Sequence, residues 1–244
     1  MLGNYKEAIS AFRKILDYSD AYELLVKCQI LQIANAKLND TVSFGYYEQD
    51  SDIGNGKEVL MWNVVIKEED RVLLWSDKIV DYQRFNTITR DSSGYAVTEP
   101  YISWKDSHMR SWLNGEFYNE AFGDKEKPYV ISLSHETTDC EKNTYTTEEK
   151  VFLFSSQEFY DLKGMTVGTM TQIATKYAHE RVKYEECWNS CYTRDQQEWK
   201  GIFGISDVFS PGVIDNHNKV YFMNASSQIG AVRPCVWVDI SDKK

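Results

Sequence analysis

Apolar positions in residues 4–37 return every three or four residues. Tyr5, Ala8, Ile9, Phe12, Ile15 and Leu16 form one stripe, the spacing of an amphipathic helix. The stretch DYSDA interrupts it, and Ser19 or Asp20 stands where a second helix would be capped. Leu24, Leu25, Cys28, Leu31 and either Ile33 or Ala34 continue as a second stripe. The pattern predicts a helical hairpin over residues 1–39.

From residue 41 the period changes. TVSFGYYEQ and EVLMWNVVIKEEDRVLLWS alternate or run apolar, with β-branched and aromatic content, which predicts strands. Asn55-Gly56 between them is a hairpin-type turn, and EEDR reverses the chain again, so a meander is expected. Residues 106–122 return to helical spacing, with Met109, Trp112, Leu113, Phe117 and Ala121 near one face and Asp106 or Ser107 as cap. Asn114-Gly115 interrupts or redirects that helix. Residues 123–150 are polar and read as loop. KVFLFS predicts a short buried strand, QEFYDL and TQIATKYAHERV short helices, and KVYFMNASSQIGAVRPCVWVDI further strands. Residues 40–244 show no internal repeat or low-complexity linker. The expected fold class is α+β, a helical hairpin followed by one mixed domain.

Composition narrows the function. The 244 residues are 42% hydrophobic and 14% aromatic, with 7 Trp and 16 Tyr. Such a chain builds a substantial core and can spare aromatics for a binding surface. The net charge is −10, and no Lys/Arg-rich run is present, which argues against nucleic acid as a partner. No apolar run approaches the roughly 20 residues of a membrane span. MLGNYKEAISAFRK has no signal-peptide core, which favours the cytoplasm for the chain as given, although a targeting segment upstream stays open. Five cysteines at irregular spacing, Cys28, Cys140, Cys187, Cys191 and Cys235, imply reduced thiols rather than a disulfide framework.

Motifs for cofactor or hydrolytic chemistry are missing. Gly56-Lys57 fails as a phosphate loop, because Glu58 follows and no Gly stands five residues before Gly56. There is no Gly-x-Ser-x-Gly, no His-Glu-x-x-His and no paired acidic motif. His108, His135, His179 and His217 are scattered, and most are expected to face solvent. No cofactor and no metal are expected.

Several blocks carry a resemblance. ISWKDSHMRSWLNGEFYNEAF resembles a motif built as LRxWLNxxFYxxAF after a Trp and a polar pair. EKVFLFS, ATKYA, CWNSCYTRD and AVRPCVWVDI resemble the blocks that follow, in the same order. Together they resemble the bacterial family called domain of unknown function 6273, over about residues 41–241. GNYKEAISAFRKIL is similar to half of a tetratricopeptide-type unit, as often precedes that domain in gut Firmicutes. The resemblance implies a C-type-lectin-like fold, the superfamily that includes the formylglycine-generating enzyme. The chain departs from the family at Cys191-Tyr192-Thr193 and at Asp195.

The segment CWNSCYTRD, residues 187–195, admits two chemistries. Cys187 and Cys191 near Arg194 offer thiolates that suit Cu(I), a loose likeness to the formylglycine-generating enzyme, whose cysteine spacing is one longer and whose Gly-Gly-Ser-Trp run is absent here. Zinc would need a second compact ligand pair, and His179 or Cys140 does not supply one. EPY at 99–101 and WNS at 188–190 are similar to lectin calcium motifs, but each lacks a key oxygen ligand. A recognition loop fits better, with Trp188, Asn189, Tyr192, Arg194, Asp195 and Asn216 as ligand contacts. Arg110 and Arg233 are expected to form internal forks to carboxylates or carbonyls, and Arg194 stands between that role and ligand contact. The expected function is non-catalytic binding of a small molecule, glycan or protein through loops ahead of the last strands. The alternatives are a copper/thiol oxidoreductase and an assembly module built on the helices.

Overall fold

The alternating segments after residue 40 form two five-stranded sheets, and the helices pack against them. A computed structural model describes residues 2–16, 18, 20–86, 89–90, 92–93, 96–97, 103–138, 143–163, 173–181, 187–199, 208–214, 220–222 and 229–241. The chain begins with α1 (Leu2–Arg13), α2 (Ala21–Asn35), β1 (Thr41–Tyr47), β2 (Glu58–Lys67), β3 (Arg71–Ser76) and β4 (Asp81–Arg84). The short pair β5 (Thr89–Arg90) and β6 (Ala96–Val97) precedes α3 (His108–Trp112) and α4 (Tyr118–Ala121). Then come β7 (Leu133–Thr138), β8 (Thr144–Glu149), β9 (Val151–Phe152), α5 (Ser156–Lys163) and α6 (Lys176–Arg181). The chain closes with β10 (Cys187–Trp199), β11 (Val208–Ile214), β12 (Val220–Phe222), β13 (Ile229–Val232) and β14 (Cys235–Asp239). The fold is α+β with an N-terminal helical pair.

The first sheet has the order β1-β2-β3-β14-β9 and is antiparallel throughout. The expected meander β1-β2-β3 is present, and the C-terminal strand lies against its last member. Both faces are covered, so its central strands are apolar at almost every position instead of at alternate ones. Val72, Leu74, Val236 and Val238 join the core beneath α1, α2 and the α3–α4 segment. Leu73, Trp75, Cys235 and Trp237 join a second core beneath α5. One residue of register separates the two sets, as a two-residue period requires. Full burial of each such side chain is worth about 1.5–3 kcal/mol.

The second sheet has the order β12-β11-β10-β13-β4, with β10 and β13 parallel and the other pairs antiparallel. The chain changes sheets twice at one place, between β3 and β4 and between β13 and β14. Arg233 holds that crossing. Its Nε and Nη2 donate to Ser76 O at 3.1 and 2.7 Å, and Nη2 also donates to Asp77 O at 3.2 Å. Its guanidinium lies 3.6 Å from the Trp75 ring centroid. The expected internal fork is present.

Two expectations are corrected. Residues 133–138 and 144–149 are paired strands rather than loop, β7 and β8 running from Leu133↔Glu149 to Thr138↔Thr144. TYTTEE supplies β-favouring Thr and Tyr without an apolar alternation, so the periodic signal is weak there. The segment CWNSCYTRD, expected as a loop, runs inside β10. The helical stretch at 106–122 does occur, but as α3, a π-helical turn over Leu113–Phe117, and α4. Ser107 caps it, its hydroxyl accepting from the Arg110 amide at 3.1 Å.

Candidate functional site: an apolar cleft beneath α5

The start of α5 is fixed by a reciprocal cap. The Ser155 amide donates to Glu158 Oε2 at 2.9 Å, and the Glu158 amide donates to Ser155 Oγ at 3.1 Å. This is a capping box, which sets where the helix begins and hence which residues turn inward. Phe159 enters the core with Trp75 and Phe154, and Leu162 follows one turn later. Between α5 and the outer face of the first sheet the packing stops short and leaves a half-open cleft of about 270 Å³. Ile66, Leu73, Phe152, Phe154, Leu162 and Trp237 form its walls. His135, Glu158 and Asp161 are its polar lining.

His135 is positioned by β7. Its ring packs on Phe152 with centroids 4.4 Å apart, and its Nδ1 lies 3.1 Å from Glu149 Oε2. The side chain retains 11% exposure, so this histidine is not among those that face solvent. The pairing with that carboxylate orients the ring at the wall of the cleft.

Glu149 itself has no exposed side-chain surface. It accepts from Trp104 Nε1 at 2.5 Å, Thr147 Oγ1 at 2.6 Å and Arg110 Nε at 2.9 Å. Burial pushes its pKa up, but bonds from His135, Thr147 and Trp104 outweigh that and hold it below the usual carboxylate value. Arg110 also donates to Lys105 O at 3.2 Å and Glu148 O at 3.0 Å. It is the expected fork, joining α3 to β8. The network anchors the histidine and does not itself line the cleft.

Other ionisable groups serve the fold. Asp81, on β4, is fully buried and accepts from the Tyr82 amide, Gln83 and Tyr47, with Arg181 of α6 at 3.3 Å. Burial raises its pKa and Arg181 opposes the rise. Glu48, Asp50 and Glu58 have carboxylate oxygens within 4.8 Å of one another. Those carboxylates accept amides of their own turn, from Asp50, Asp52 and Gln49, so the cluster is explained by local turn bonding.

The residues singled out in the sequence lie elsewhere. Trp188, Asn189, Tyr192, Arg194 and Asp195 are all on β10, and Cys187 and Cys191 with them. In register, Trp188 faces Gly230 and Tyr192 faces Val213, and Cys187 and Cys191 pair with Ile229 and Ala231 across a bulge. Asn216 and Cys140 are outside the described residues. His179 is exposed on α6, Cys28 is half-buried with its thiol pushed up by burial, and Cys235 is buried. The cleft was missed because its polar members come from β7 and α5, brought together only by the sheet. The Ser155–Glu158 capping pair was the one local signal for it.

No helix among the described residues is long and apolar enough to cross a membrane. No curated protein and no solved structure matches the chain. A family profile does match, over residues 69–240. The match starts just before β3, so β1, β2 and the helical pair that completes the inner core lie ahead of it. Covering well over half of the sequence and ending at the close of β14, it shows that the chain belongs to the family described as domain of unknown function (DUF6273).

Proposed function

We propose that the protein is a non-catalytic binding module and that the cleft beneath α5 seats a small-molecule ligand. The observation that carries this reading is the make-up of the cleft, six apolar walls with three polar side chains at about 270 Å³. Apolar walls supply affinity and a few placed polar groups supply orientation. The nearby ionic network supports binding over chemistry, since Glu149 and Arg110 are committed to one another and to the backbone around them. The C-type-lectin-like relationship implied by the sequence motifs agrees with a binding role. Ligand contact by Trp188, Asn189, Tyr192, Arg194, Asp195 and Asn216 is a separate proposal, resting on the chemistry of those residues and not on the cleft, and Trp188→Ala and Arg194→Ala test it.

The deciding experiment is a fragment screen by thermal shift on the wild type and on Ile66→Trp. Ile66 is a partly exposed wall residue, so an indole there fills the cleft from its rim. A fragment at about 100 times its dissociation constant adds roughly 2.7 kcal/mol of stability. That gain is expected in the wild type and lost in Ile66→Trp. Equal gains in both proteins would remove the cleft as the seat.

A further inference from the structure

We infer that the cleft takes its ligand apolar end first: an uncharged group of single-ring size enters it, and any charged substituent stays at the mouth. The inference rests on the cleft being the binding seat and adds what it selects. Burial divides the lining into two zones. Leu73, Phe152, Phe154, Leu162 and Trp237 are buried and form the floor. Asp161 is exposed, and Ile66, His135 and Glu158 are half-buried, so these form the mouth. The five floor residues carry no ionisable side chain.

Each polar side chain of the mouth is engaged with the protein. His135 Nδ1 lies 3.1 Å from Glu149, Glu158 accepts from the Ser155 amide at 2.9 Å, and Asp161 accepts from Gln157 at 2.8 Å. Selection therefore falls to the floor. A charge carried down to it loses its water and meets no counter-charge, which is costly. Water is a poor occupant too, since it needs about two to four polar partners. An apolar group gains by leaving solvent for the same place. The floor is also held in shape by its own packing. Phe154 lies edge-on to Trp75 with centroids 5.5 Å apart, Trp75 lies edge-on to Phe159 at 6.2 Å, and Phe152 packs on His135 at 4.4 Å. Rings fixed in this way need little ordering by a ligand. The volume of about 270 Å³ lies near the lower end for small-molecule sites, which suits one ring.

The test is a calorimetric titration of the full chain with four para-substituted benzenes. The compounds 4-methylbenzylamine and 4-methylbenzoate each offer a methyl end and carry one charge, of opposite sign. Their partners p-xylylenediamine and terephthalate carry the charge at both ends. The two methyl compounds are expected to bind within about fivefold of one another, the span that exposed charge pairs supply. Each doubly charged compound is expected to bind at least roughly tenfold weaker than its methyl partner, because one charge must go to the floor. NMR signals of the Leu73 and Leu162 methyls locate the probe, since a bound aromatic ring on the floor shifts both. A doubly charged probe that matches its methyl partner and shifts those methyls would overturn the inference while leaving the cleft reading intact. Binding of only one of the two methyl compounds would overturn it as well, by showing that charge at the mouth decides. Methyl compounds that bind without moving Leu73 or Leu162 would place the site outside the cleft and overturn it. If none of the four binds, the inference fails, and the fragment screen decides the cleft separately.

Discussion

Glu149 gathers four side-chain donors from three parts of the chain: Trp104, Arg110, His135 and its strand neighbour Thr147. A carboxylate with no exposed surface is tolerable only with such a set, since an unpaired buried charge costs several kcal/mol. Glu149→Gln is therefore expected to lower stability by about 3 kcal/mol at pH 7, read by urea unfolding, because it leaves Arg110 without its charge partner. The pH dependence has a definite sign. The folded-state pKa of Glu149 is depressed, so its contribution is present above the ordinary carboxylate range and is lost as the pH falls through the folded value. The gap between wild type and variant should close on acidification, and a gap that stays constant down to pH 3 would remove Glu149 as its source.

At the scale of elements, Asn114 explains why the helix over 108–121 is not uniform. A π-helical turn spans Leu113–Phe117, and such turns re-aim a side chain within a helix. Here it aims the Asn114 amide at β9: Oδ1 accepts from the Lys150 and Val151 amides at 2.8 and 3.2 Å, and Nδ2 donates to Val151 O at 2.9 Å and Arg110 O at 3.1 Å. One side chain thus satisfies the edge of a two-residue strand. Asn114→Ala should cost about 1 kcal/mol, since it removes bonds to partly buried backbone groups of Val151, and should speed hydrogen exchange at the Val151 amide more than at Trp237. Uniform exchange at both would contradict this role. The sequence marked the place, through Asn114-Gly115 inside a helical stripe, but the partner of Asn114 is a strand 37 residues away. The strands of the first sheet were legible as β-branched and aromatic runs, but which residue faces which core was not, because both faces are apolar. The bulge in β1 was not: Gly45 there adopts φ +73°, and a Cβ would lie 2.6 Å from Ala121 O, a contact that only the folded helix supplies. The cleft was hidden for the same reason: His135 stands on a hairpin with no apolar alternation, and only the folded sheet brings it to Glu158 and Asp161 of α5.

At the scale of the whole molecule, the N-terminal helices are part of the inner core. Leu25, Val26, Ile30 and Ile33 of α2 are buried with Val64, Val72 and Val236 of the sheet, a burial comparable to a typical domain's net stability. The polar counterpart is a latch between α2 and the segment after α4. Tyr22 donates to Glu126 Oε2, and Gly123 leaves room for the hydroxyl. Glu126 is fully buried, and burial raises its pKa against the opposing bond from Tyr22. A raised folded-state pKa means that the stabilising contribution is full below the ordinary carboxylate range and is lost as the pH rises through the folded value. Above that range, holding this carboxyl in the fold is therefore a cost that the latch carries. Glu126→Gln keeps an acceptor for Tyr22 and removes that charge, so it should raise stability by about 1 kcal/mol at pH 7. The gain should disappear at pH 4, where the wild-type group is protonated, with urea unfolding at the two pH values as the measurement. A variant that loses stability at pH 7 and not at pH 4 would show instead that the ionised carboxylate itself holds the helices to the family domain.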